Sequence, residues 1–92
     1  MFVAYPALLG TEGQDRLISF PDCPGCRTMA GPGEDVLEVA KAALIGWLRT
    51  QLKKGEVPPR PASIMQQSAT GEVLMVPVPE DLTRALEQRW NG

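Results

Sequence analysis

Two cysteines separated by two residues, Cys23-Pro24-Gly25-Cys26, are the side chains of this sequence best suited to covalent or metal chemistry. A Cys-x-x-Cys pair becomes a redox dithiol when a helix N-terminus or a cation depresses one thiol. It becomes half of a tetrahedral zinc site when a second pair or two histidines complete it. The motif here leads instead into a short strand and a glycine-rich turn, and the chain holds no third cysteine and no histidine. Without imidazole there is no Ser-His-Asp or Cys-His nucleophilic site and no histidine acid–base catalysis. The pair reads as structural, so no catalytic residue, metal ligand or cofactor is expected. A small thiol protein built on Cys23 and Cys26 is the rival reading.

The carboxylates are the next candidates. Metal-dependent nucleases hold two ions with carboxylates on strands and helix ends, yet the apolar runs 2–9 and 17–20 contain none. Asp22, Glu34 and Asp35 form a loose acidic group around a loop and a helix start. Turn and helix-dipole chemistry explains them, and so does a patch that steers a basic partner. Trp47 reads as core. Trp90 either packs a terminal helix down or anchors an interface, since tryptophan is enriched at hot spots. Asp22, Glu34, Asp35 and Trp90 are therefore the candidate partner-binding residues. Lys53, Lys54 and Arg60 are too few for a nucleic-acid stripe.

The elements that must position these residues follow from periodicity and punctuation. Residues 2–9 are apolar with a proline at position 6, and residues 17–20 form a second apolar run. The intervening 10–15 segment, with Gly10 and Gly13, has turn chemistry, so an antiparallel hairpin is expected. Residues 21–25 are a loop, 26–30 a third short strand, and Gly31-Pro32-Gly33 a break. Over 34–54 the period changes to 3.6: Val36, Leu37, Ala40, Ala43, Leu44, Trp47 and Leu48 fall within an arc of roughly 140°. Acidic residues open that segment, lysines close it, and Gly55 stops it. Pro58, Pro59 and Pro61 make 55–63 an extended connector. Residues 72–79 read as a border strand, with Val73, Met75, Val76 and Val78 available for packing. Pro77 and Pro79 remove donors from one edge of it. Leu82, Ala85, Leu86 and Trp90 sit at helical spacing in a short final helix over 80–90.

Size and composition agree with one small domain. The 92 residues are 43% hydrophobic and 22% charged, with a formal net charge of −2 and a mean hydropathy of −0.11. A chain of this length buries only about 60% of its unfolded surface, which favours a homo-oligomer. No apolar run reaches the ~20 residues of a membrane span, and the N-terminus lacks a basic signal-peptide flank, so a cytoplasmic protein without a membrane partner is expected.

Ordered words in the sequence go further. Tyr5-Pro6-Ala7-Leu8-Leu9, then Ile18-Ser19-Phe20-Pro21-Asp22-Cys23-Pro24-Gly25-Cys26, Ala40-Lys41-Ala42-Ala43-Leu44, Gly55-Glu56-Val57-Pro58 and Val76-Pro77-Val78-Pro79 occur with natural spacing. Together they resemble the HicB family of antitoxins, whose core carries a tyrosine–proline strand, a "SFPDLPGC" loop and an alanine-rich helix ending in Gly-Glu-x-Pro. The resemblance spans about residues 2–80. Within it Cys26 matches a common family cysteine, and Cys23 replaces a usual leucine. Where the family opens its helix with Thr-Leu this chain has Pro32-Gly33, so a capping hydroxyl and a hydrophobic contact are expected to be lost.

The resemblance implies an α+β, partial RNase-H-like fold: an antiparallel three-stranded meander, a border strand, one long helix on one face and a short C-terminal helix. It implies an antitoxin-type binding protein, not an enzyme, that neutralises a HicA-like mRNA interferase toxin by occluding it. The alternative is a stand-alone homo-oligomeric HicB-like module that binds another protein or RNA without a toxin partner. Residues 1–92 are expected to be a single HicB-like domain with no separate C-terminal DNA-binding domain. Residues 76–82 look superficially like the opening of a ribbon-helix-helix unit. With only Arg84 and Arg89 as cations in the last helix, specific DNA binding by this chain alone is not expected.

Overall fold

The computed structural model describes residues 3–61 and 72–92. Its elements run β1 (Ala4–Glu12), β2 (Asp15–Ser19), β3 (Arg27–Ala30), α1 (Val36–Lys53), β4 (Glu72–Pro77) and α2 (Glu80–Asn91). All strand pairs are antiparallel, in the order β3-β2-β1-β4. A meander of β1, β2 and β3 thus carries β4 as a border strand beside β1. The fold is α+β, as expected. Phe2 and the end of the proline-rich connector lie outside the described residues.

β1 is longer than its apolar run suggests. It continues through Gly10 and Thr11 to Glu12, which pairs with Asp15 around the two-residue turn Gly13–Gln14. Gly13 has φ of +62° and Gln14 does not have positive φ. That is the type II′ pattern, whose twist matches the flanking strands.

Register also explains how a proline sits in the central strand. The β1–β2 ladder begins at Leu8↔Ser19, and the Val78 N–H donates to the Val3 carbonyl at 2.9 Å. Alternation from that bond directs odd residues of β1 toward β4 and even ones toward β2. Pro6 would donate toward β2, beyond the end of the ladder, so nothing is lost. The same parity points the missing donor of Pro77 away from β1, at the free border. β4 ends there. Val78 follows the strand, and Pro79 lies immediately before α2 rather than inside the strand.

The pleat separates two faces. Tyr5, Ala7, Ile18, Phe20, Ala30 and Val76 point at the helices and form one buried core with Cys23, Cys26, Ala40, Leu44, Leu48, Val78, Leu82 and Leu86. Fully burying each large member contributes about 1.5–3 kcal/mol. Helix α1 meets the expectation from its arc: Ala40, Leu44 and Leu48 are buried, while Val36, Leu37 and Trp47 pack at the edge of the core.

The start of α1 corrects an expectation. No cap is lost, because Asp35 is the N-cap and accepts from the Glu38 N–H at 3.2 Å. At the other end the Gly55 N–H bonds the Leu52 carbonyl and the Glu56 N–H bonds Gln51, a Schellman stop. β4 supplies a second correction. Val76 is buried, but Val73 and Met75 turn to the opposite face of the sheet, Met75 with 43% of its surface exposed.

Candidate functional site

The Cys23–Cys26 loop is built from consecutive turns. The Cys23 N–H bonds the Phe20 carbonyl at 3.0 Å, the Cys26 N–H bonds Cys23 at 2.9 Å, and the Phe20 N–H closes the loop on Cys26 at 3.1 Å. Pro24 at the second position and Gly25 at φ +83° make the second of these a type II turn, which an L side chain at 25 would strain. The loop is clasped from α1 by the Trp47 indole N–H, which donates to the Pro24 carbonyl at 3.2 Å.

Both thiols are buried and free. Burial pushes the Cys23 thiol up to about 12, helped by the charges of Cys26 and Asp22. Burial likewise raises Cys26 to about 11, and its Sγ lies 3.7 Å from the Ala43 carbonyl. Thiols pushed in this direction are protonated at neutral pH and are poor nucleophiles. Tyr5, buried beside them, is raised as well, first by desolvation and then by Cys23 and Asp22. The pair is a packing element of the loop. Among the described residues no three His, Cys, Asp or Glu side chains converge to hold a metal ion.

The acidic group does not assemble as one patch. Glu34 and Asp35 stand together at the N-terminus of α1, where the Glu34 Oε1 accepts from the Gly31 N–H at 2.6 Å. Asp22 lies in the loop at the other end of β3. Cys26, in that loop, meets α1 at Ala43, about 12 Å along the helix from Asp35 at 1.5 Å per residue. The neighbours of Glu34 are instead in the hairpin: the carboxylates of Glu34 and Asp15 both come within 4 Å of the space a side chain at Gly31 would fill. Glu12 pairs with Asp15 in the same hairpin. Glu12, Asp15, Glu34 and Asp35 therefore make the acidic end of the molecule. The sequence hides this because the two halves are separated by β2 and β3.

Trp90 is half-buried, and its polar group is already used within the chain. Its indole N–H donates to the Pro58 carbonyl at 2.7 Å, and the Arg60 guanidinium lies 5.1 Å from the ring centre. Tyr5 Oη donates to the next carbonyl, Pro59, at 2.6 Å. The Gly-Glu-Val-Pro-Pro segment is thus held between β1 and α2.

The sheet face opposite the helices was missed by sequence reasoning. Leu8, Leu17, Met29, Val73 and Met75 lie on it by register, and none joins the core cluster. Met29 is 46% exposed. Leu17, Ser19, Arg27 and Met29 line a shallow groove of about 410 Å³ on the β2–β3 side. The signal was present: a strand carrying apolar residues on both faces, Leu17 beside Ile18, reads as two-sided burial.

Comparison with known proteins gives a consistent answer. A family model described as "HicB_like antitoxin of bacterial toxin-antitoxin system" matches residues 5–88. A chain of a solved "HicA3 and HicB3 toxin-antitoxin complex" superposes with a TM-score of 0.65 at 17% identity, covering 84% of this chain and 96% of that one. At that identity the likeness is one of fold. Comparison with the curated proteins finds no match.

Proposed function

The chain belongs to the HicB-like antitoxin family of bacterial toxin-antitoxin systems, and on that premise we propose that it neutralises a HicA-like ribonuclease toxin in the cytoplasm by binding and occluding it, without chemistry of its own. The family match over residues 5–88 carries this reading. The surface supports it: the sheet face opposite the helices exposes Met29 and Met75 as apolar contact area, and the carboxylates of Glu12, Asp15, Glu34 and Asp35 supply charge opposite to that of an RNA-binding partner. Asp22 contributes separately, from the far end of β3. Trp90 serves the fold rather than the partner.

Helix α2 is a packing element and not a DNA reader. Leu82 and Leu86 are buried, Arg84 pairs with Glu80 at 2.8 Å, and Arg89 donates to the Leu52 carbonyl at 3.4 Å. Both arginines of the helix are used within the chain.

The test is titration of the toxin from the neighbouring reading frame with this chain, reading RNA cleavage and association rate. Cleavage is expected to stop at stoichiometric antitoxin. Neutralising the acidic end with Glu34→Gln and Asp35→Asn keeps both capping hydrogen bonds, since an amide oxygen still accepts. Association should slow several-fold at low salt and converge with wild type at high salt. Cleavage that persists at excess antitoxin overturns the reading, and an unchanged rate at low salt removes the acidic end from it.

A further inference from the structure

The two borders of the sheet are not equivalent. At the β4 border Pro77 has no donor to offer. At the β3 border the Phe20 N–H bond to Cys26 sets the alternation, so Thr28 and Ala30 exchange bonds with β2 while Arg27 and Met29 aim their N–H and C=O groups outward. The next outward pair, that of Gly31, is already taken: its N–H by the Glu34 carboxylate and its carbonyl by the Glu34 N–H at 3.1 Å. Among the described residues nothing bonds the outward groups of Arg27 and Met29. A second groove, about 470 Å³, runs along this edge between β3 and α1, lined by Thr28, Ala42, Gly46 and Trp47. Gly46 sits mid-helix, where glycine disfavours the helix, and a Cβ there would meet nothing within 4 Å among the described residues.

We propose that β3 pairs antiparallel with β3 of a second copy of this chain, about a two-fold axis at Thr28, joining two sheets into one of eight strands. Self-pairing fits these groups because it is reciprocal. Arg27 faces Met29 of the second copy and Met29 faces its Arg27, so the outward N–H and C=O groups satisfy one another. Charge selects the same arrangement. Arg27 has no ion-pair or hydrogen-bond partner among the described residues. The antiparallel register sets it one same-face step, about 6.6 Å, from Gly31 of the second copy, where that copy's Glu34 carboxylate sits. Each β3 is cationic at one end and anionic just past the other, so the two-fold forms two opposite-charge contacts. Thr28 meets its own copy on the helix side, a favourable cross-strand pair. The aliphatic stem of Arg27 covers the exposed Met29 of the second copy. Ala42 and Gly46 leave room for the two α1 helices to approach. The inference goes beyond the antitoxin reading and does not depend on it.

Sedimentation velocity on the 92-residue chain, without toxin, tests it. A dimer is expected at micromolar concentration. Met29→Pro removes one outward N–H while leaving the bonds to β2 in place, which an edge position tolerates. Arg27→Glu is a surface change that turns the charge contact repulsive, so it stands as a second variant should the proline disturb folding. Each should raise the dimer dissociation constant about tenfold or more. Wild type that is monomeric at about 100 µM, or a dimer whose dissociation constant neither variant changes, overturns the proposal. So does a monomer in which Met29→Pro weakens toxin binding, which would assign the edge to the toxin.

Discussion

The clamp on the proline connector makes a quantitative test of how this small domain holds itself together. Tyr5 and Trp90 come from opposite ends of the chain and donate to adjacent carbonyls, Pro59 at 2.6 Å and Pro58 at 2.7 Å. Tyr5→Phe removes one neutral hydrogen bond whose acceptor belongs to an exposed residue and can rehydrate, so the cost should sit near the low end of about 0.5–1.5 kcal/mol. Trp90→Phe removes a bond to the carbonyl of Pro58, a buried residue, and weakens the contact with Arg60, worth about 0.5–1 kcal/mol at an exposed site. Together these give about 1–2 kcal/mol. For a domain of this size 1 kcal/mol lowers Tm by about 4–8 °C. Because both bonds fix one rigid Pro-Pro unit, losing the first should loosen the second, with a coupling of at least about 0.5 kcal/mol in a double-mutant cycle. Urea unfolding of the four proteins, followed by tryptophan fluorescence where Trp47 remains and by circular dichroism throughout, measures it. Additivity within about 0.3 kcal/mol would refute the clamp as a unit. A Trp90→Phe protein as stable as wild type but weaker in toxin binding would return Trp90 to the interface.

Alkaline pH should destabilise the fold through the buried thiols. Their folded values, about 12 for Cys23 and about 11 for Cys26, lie above the ordinary 9.0. The unfolded chain therefore binds fewer protons than the folded one once pH passes about 9, and stability falls as pH rises from there toward the folded values. The loss is at most about 1.4 kcal/mol per pH unit for each thiol. Chemical unfolding at pH 8 and pH 10.5 should show a shallower decline in Cys23→Ala/Cys26→Ala than in wild type, and an equal decline would remove the thiols as its cause. At the helix start, Asp35→Ala should cost about 1 kcal/mol and Asp35→Asn a small fraction of that. Equal thermal shifts for the two would show that the cap bond does not stabilise α1.

Part of this protein is written locally and could be read without coordinates. The arc of Ala40, Leu44 and Leu48, the acid-to-lysine polarity of α1 and the stop at Gly55 depend on residues within one or two turns of each other. The same holds for the Pro24-Gly25 turn, because a fixed proline φ followed by a permissive glycine leaves few alternatives. The ordered words from Tyr5 to Pro79 carried the family. Tertiary structure decided what depends on which distant residues meet. The acidic end joins Glu12 and Asp15 to Glu34 and Asp35 and leaves Asp22 behind, because β3 intervenes. Tyr5 and Pro59 are 54 positions apart, and no local pattern marks a tyrosine for a backbone carbonyl at that separation. Strand faces turn on parity. The bond from Val78 to Val3 sends Met75 and Val73 outward, Val76 inward and the gap of Pro77 to the border, and a shift of one residue would have reversed all of them.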